Sequence, residues 1–169
     1  MPSTRFSVDT NFLIDLAKPK DIARDALDTI RARVSGVEII VPPATARELL
    51  RFAEESDDAA KREQSRRALF NIRGEWRFTP MQLPDLQQTY AASIAGKLLE
   101  QGIIPPAERN DARILAQSAL LDCQILISAD SDLRDIAPKR LADALQACGV
   151  ANVLILSPRD IVRRFALRR

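Results

Sequence analysis

The chain has 169 residues, a net charge of +2 and no histidine, with 46% apolar and 28% charged residues. That balance excludes a disordered polymer, and no apolar run reaches membrane-spanning length. One hydrophobic core suits this length, so a single domain over residues 1–169 is expected, and the opening Met1-Pro2-Ser3-Thr4-Arg5 lacks a signal-peptide pattern, which makes the cytoplasm the expected location.

Arg5-Phe6-Ser7-Val8 reads as a short strand ending at Asp9, and residues 10–18 as a helix with Phe12, Leu13 and Leu16 on one face. A second helix is expected from Asp21, carrying Ile22, Ala26, Ile30 and Val34 at helical spacing and stopped by Gly36. Residues 37–41 form a β-rich run closed by Pro42-Pro43, and the helix that follows carries Glu48 near its start. Residues 57–73 predict a charged helix ending at Gly74. Trp76-Arg77-Phe78-Thr79 then reads as a short strand, and residues 84–101 as a long helix.

After the break at residues 102–106, a helix opens at Asn110-Asp111 with Ile114, Leu115, Ser118 and Leu121 on one side. Residues 124–128 are the clearest buried strand, and they deliver Ala129-Asp130-Ser131-Asp132. Residues 138–148 predict a helix and residues 151–156 a strand; Ser157-Pro158-Arg159-Asp160 is a strong helix start, with Ser157 as the N-cap. Strands alternating with helices predict an α/β fold, a three-layer α/β/α sandwich around a mainly parallel sheet.

Asp9, Glu48, Asp111 and Asp130 all fall where strand-like runs give way to helices. In a parallel sheet, ligands collect beyond the carboxyl ends of the strands, so the four can converge on one edge. Without imidazole, chemistry there has to use carboxylates and hard divalent cations, which points to Mg²⁺ or Mn²⁺ acting on phosphate esters. Each acid also has a plainer role. Asp9 and Asp130 sit where helix N-caps belong, Asp111 suits a helix dipole, and Glu48 could face an arginine in solvent.

Arg62, Arg66 and Arg67 fall at helical spacing with Glu63 among them, either as a nucleic-acid face or as a solvated one. The pairs Arg163-Arg164 and Arg168-Arg169 carry the same two readings. Cys123 and Cys148 stand alone and read as packing residues.

The ordered set Val8-Asp9-Thr10-Asn11-Phe12-Leu13-Ile14, Ala46-Arg47-Glu48-Leu49, Asn110-Asp111-Ala112-Arg113-Ile114-Leu115-Ala116 and Leu126-Ile127-Ser128-Ala129-Asp130-Ser131-Asp132-Leu133 resembles the PIN-domain family of metal-dependent ribonucleases, especially its small bacterial toxins of the VapC type. The resemblance implies an endoribonuclease using Mg²⁺ or Mn²⁺, with Asp9, Glu48, Asp111 and Asp130 as catalytic and metal-binding acids. Asp132 enters as an accessory or substitute ligand. Thr10, Asn11, Asn110 and Ser128 become supporting polar residues.

It further implies an RNA substrate, a cognate antitoxin and a homodimer, the dimer resting on apolar helix faces between Leu49 and Phe70 and between Tyr90 and Leu99. Two departures stand out: Leu133 occupies a position where an aromatic residue is common, and residues 57–76 exceed what a minimal toxin needs. The alternatives are a silent RNA- or partner-binding module on the same fold, or a housekeeping RNA-processing nuclease. A phosphoacceptor receiver fits poorly, because Asp9 has no acidic neighbour until Asp15 and the last strand leads into Ser157-Pro158-Arg159 without a lysine.

Overall fold

A computed structural model describes residues 3–166, which leaves Arg168 and Arg169 outside the described residues. Five strands form one sheet: β1 (Thr4–Val8), β2 (Val37–Val41), β3 (Thr79–Pro80), β4 (Ile125–Ile127) and β5 (Leu154–Leu156). Their order is β3-β2-β1-β4-β5 and every pairing is parallel. The chain therefore steps outward from β1 to β3, then returns to the other side of β1 for β4 and β5. The reversal leaves a crevice at the carboxyl ends of β1 and β4.

The helices are α1 (Thr10–Leu16), α2 (Ile22–Arg33), α3 (Pro43–Glu55), α4 (Ala59–Asn71), α5 (Asp85–Glu100), α6 (Arg109–Leu120), α7 (Ser131–Arg134), α8 (Pro138–Ala147) and α9 (Pro158–Phe165). Strand side chains alternate between two apolar layers, as the pleat requires. Phe6, Val8, Ile39, Val41, Ile125 and Ile127 pack against α1, α2, α4 and α9. Ile40 and Leu126 point the other way, into the layer made with α5, α6 and α8. Helix α3 reaches both layers, through Leu49 on one side and Ala44 on the other. The three-layer parallel architecture expected from the alternation of elements is what the chain adopts.

Local chemistry explains the boundaries. Asp21 caps α2 by accepting from the Ala23 N–H, and Gly36 takes the left-handed conformation, φ +65°, that turns the chain into β2. Pro42 cannot cap α3 with its side chain, so Gln117 of α6 reaches across and accepts from the Ala44 N–H at 2.8 Å. Helix α9 carries the expected cap as a reciprocal box between Ser157 and Asp160.

The segment from Trp76 to Thr79 departs from the expected strand. Arg77 has φ +51°, which breaks the extended run, and Trp76 and Phe78 both turn into the core with ring centroids 5.8 Å apart. Backbone bonds from Trp76 N–H to Asn71 and from Phe78 N–H to Ile72 hold that turn, so pairing starts only at Thr79. Likewise β5 begins at Leu154, three residues later than expected.

Leu49, Ile94 and Leu98 are core residues, whereas Leu50, Phe70, Leu86 and Tyr90 stay exposed. Both cysteines are buried, and burial pushes the Cys123 thiol up to about 11. Among the described residues no helix is long and apolar enough to cross a membrane.

Candidate active site

Asp9 leaves the end of β1 and caps α1 in the same step. One carboxylate oxygen accepts from the Phe12 N–H at 2.8 Å, and the other accepts from the Ser128 hydroxyl. The Asp9 N–H itself donates to the Ile127 carbonyl at 3.2 Å, which ties the residue to the neighbouring strand. Ser128 follows β4, and its hydroxyl oxygen also accepts from the Asp130 N–H at 3.1 Å. Asp130 then caps α7 by accepting from the Asp132 N–H at 2.8 Å. One serine thus joins the Asp9 carboxylate to the Asp130 backbone.

Glu48 lies in the second turn of α3 and accepts from the Thr10 hydroxyl. Its other oxygen stands 3.7 Å from the Arg51 guanidinium, a loose surface pair. Thr45, one turn earlier, donates to the Val8 carbonyl at 2.9 Å and so locks α3 against the end of β1. Asp111 projects from the first turn of α6. Its Oδ2 is buried without a hydrogen-bond partner, as is the Nδ2 of the adjacent Asn110.

The electrostatics show which acids share one space. Burial pushes the Asp9 carboxyl up to about 7, against the lowering effect of the Ser128 hydroxyl and the Phe12 N–H, and the charges of Asp130 and Asp15 raise it further. Asp111 is also raised to about 7, first by burial and then by Asp130, Asp9, Glu108 and Glu48. Asp111 therefore feels the charges of Asp130, Asp9 and Glu48, and Asp9 that of Asp130, across the β1/β4 crevice.

Asp132 is placed elsewhere. It is exposed and lines a separate cavity with Asp135, Ile136 and Arg140. Asn11 is exposed on the wall of a cavity shared with Asp130. Two acids bearing on the group escaped the sequence reading. Asp15 lies one helical turn beyond Asn11, and Glu108 stands three residues before Asp111, a spacing that places both on one helix face and was available as a signal.

The arginines of α4, which read in sequence as either a nucleic-acid face or a solvated one, bond locally within the protein. Arg62 donates to the Ser56 carbonyl at 2.6 Å and Arg66 to the Ala53 carbonyl at 3.1 Å, which satisfies the C-terminal end of α3. Arg67 pairs with Glu63, and Arg163 with Asp160.

A divalent cation suits this donor set by three observations. All the donors are hard oxygens, one Asp111 oxygen is buried and orphaned, and the acids are held in mutual repulsion that a cation would relieve. Among the described residues, no three acidic or thiol side chains are drawn close enough to grip a single ion in this arrangement.

The PIN domain family model matches residues 7–139. No curated protein sequence matches the chain. Among solved structures, the fold is similar to VapBC2 from Rickettsia felis bound to a DNA fragment from its promoter, with a TM-score of 0.62 and 15% identity over 91% of this chain and 98% of the other. It is also similar to VapBC-1 from nontypeable Haemophilus influenzae, with a TM-score of 0.60 and 18% identity over 92% and 99% of the two chains. A third similar structure is VapBC-5 from Mycobacterium tuberculosis, a member of the VapBC family of toxin-antitoxin systems, with a TM-score of 0.53 and 20% identity over 91% and 98%.

Proposed function

The chain belongs to the PIN-domain family, and from that membership we propose that it is a Mg²⁺- or Mn²⁺-dependent endoribonuclease, folded as one domain over residues 1–169 and acting as the toxin of a toxin-antitoxin pair. The observation that carries the reading is the crevice where Asp9 and Asp111 are both raised to about 7 by burial and by neighbouring carboxylates. Two strongly raised acids in one cleft make it a candidate functional site. The similarity in fold to VapBC structures supports the toxin reading and an antitoxin partner.

Asp9, Glu48, Asp111 and Asp130 are the residues to hold the ion. When bound, a divalent cation supplies polarisation of a phosphoryl oxygen and a water acidic enough to attack it. The protein's own groups set the geometry. The Phe12 N–H and the Ser128 hydroxyl fix both oxygens of Asp9, and the Thr10 hydroxyl fixes one oxygen of Glu48. The remaining Glu48 oxygen, held only at 3.7 Å from Arg51, is the one available to orient the attacking water. Asp9 and Asp111, both raised to about 7, would have to be ionised to hold such an ion.

We also propose that two copies pair through the exposed apolar residues of α3, α4 and α5, namely Leu50, Phe70, Leu86 and Tyr90. Purified protein should cut single-stranded RNA when Mg²⁺ or Mn²⁺ is added and stop with chelator, while Asp9→Asn and Asp111→Asn abolish turnover. Cleavage that survives exhaustive chelation, or that persists in both variants, refutes the assignment. Sedimentation at micromolar concentration tests the dimer, and a monomer there refutes it.

A further inference from the structure

A crevice lined by four carboxylates repels a polyanion, so a nucleic-acid strand needs a cation close by to dock. Helix α4 supplies one. Arg62 and Arg66 are committed to carbonyls of α3, and Lys61 is the basic residue of this helix that lines the cavity reaching Asp130. That cavity, about 350 Å³, is bounded by Asn11, Lys18, Lys61, Gln64 and Asp130.

The Lys61 amine rests over the Phe52 ring, 3.7 Å from its centroid, and forms no ion pair among the described residues. An aromatic face holds a cation in place without neutralising its charge. Two acids of the same wall, Asp58 and Asp15, are already engaged. Asp58 caps α4 by accepting from the Ala60 and Lys61 N–H groups, and Asp15 accepts from Lys18 at 2.6 Å.

We propose that Lys61 is a substrate-positioning residue that binds the RNA phosphate next to the scissile one, on the Asp130 side of the carboxylates; this rests on the ribonuclease reading above. Three features favour it. The amine is a compact point charge suited to a single phosphate, the ring beneath it limits the rotamer freedom lost on binding, and Asn11 and Gln64 add hydrogen-bonding capacity along the same wall. The strand enters between the end of α1 and the start of α4, and the cation offsets the repulsion it meets at the acids.

The test measures binding of the full chain to a labelled single-stranded RNA across a salt series, in chelator so that nothing is cut, for the wild type, Lys61→Gln and Lys61→Arg. One lost phosphate contact on a single strand lowers the slope of log K against log salt by about 0.7. Lys61→Gln should show that loss, and Lys61→Arg should keep most of the wild-type slope. With Mg²⁺ added, Lys61→Gln should raise KM several-fold while kcat holds.

If the wild type binds and cuts RNA but Lys61→Gln has the same slope and KM, this inference falls and the ribonuclease reading stands. A lowered Tm with an unchanged slope assigns Lys61 only to joining α3 and α4, and overturns the inference in the same way. Should the wild type neither bind nor cut RNA, both readings fall together.

Discussion

Replacing Asp9 with Asn is expected to stabilise the metal-free protein at neutral and alkaline pH. The carboxyl is raised from 3.8 to about 7, burial being the main cause. A shift of about three units, at about 1.4 kcal/mol each, sets an upper bound of about 4 kcal/mol on the destabilisation from keeping this group ionised in the fold. The sign follows from proton binding. Between about pH 4 and 7 the folded chain holds a proton that the unfolded chain has released, so stability falls as pH rises through that window and the loss is complete above about 7.

Asn keeps an oxygen for the Phe12 N–H and is itself a good N-cap, so the change removes the charge without removing the cap. It also withdraws one of the charges that raise Asp111. The coupling makes the two effects non-additive, and a gain of about 2–4 kcal/mol at pH 8 is the expected outcome, which at this chain length is a rise in Tm on the order of 10 °C. Urea or thermal unfolding in chelator at pH 5 and pH 8 measures it: the wild type should lose stability between the two, and Asp9→Asn much less. A variant no more stable than the wild type at pH 8 refutes the claim that this carboxylate is held at a cost.

Arg66→Ala should lower stability by about 1–2 kcal/mol, by orphaning the Ala53 carbonyl, while leaving the salt slope of RNA binding unchanged; a lost phosphate contact there would favour the nucleic-acid reading of the α4 arginines. Trp76→Phe removes a buried indole N–H that has no partner, so relief of that group should offset the lost packing and keep stability within about 1 kcal/mol of the wild type in urea unfolding. Ser157→Ala breaks the reciprocal cap of α9 and should cost about 1 kcal/mol by the same measurement.

Much of the architecture was legible because apolar runs with turn punctuation mark parallel strands, and Asp9 and Asp130 come just after two of those runs, whereas Asp111 opens a helix that follows another helix. Trp76-Arg77-Phe78 misled for a physical reason. Apolar residues flanking a charged one imitate strand alternation, but a positive φ at Arg77 sends both rings into the core. Charge spacing on α4 left a nucleic-acid face and a solvated one open because it does not say where long side chains reach, and Arg62 and Arg66 bend back to cap α3. Glu108 was hidden because a residue at a helix start reads as a capping position. Asp132, two residues from Asp130, looked interchangeable with it, yet the turn of α7 directs it to another cavity.

The capping role of Asp9 and its place among the carboxylates are compatible, and their magnitudes indicate which one explains the residue. Its two oxygens accept from Phe12 and Ser128, and each retains a second lone pair for another partner. A cap is worth about 1 kcal/mol, and Ser or Asn provides it at no electrostatic cost. A carboxyl that is 2% exposed and raised to about 7 forfeits up to about 4 kcal/mol in supplying the same bond above neutral pH. Capping alone therefore gives no reason for an acid at this position. An acid becomes advantageous only where a positive charge would sit beside it, and Ser128, which donates to the Asp9 carboxylate and accepts from the Asp130 backbone N–H, ties the two strand ends together at that crevice.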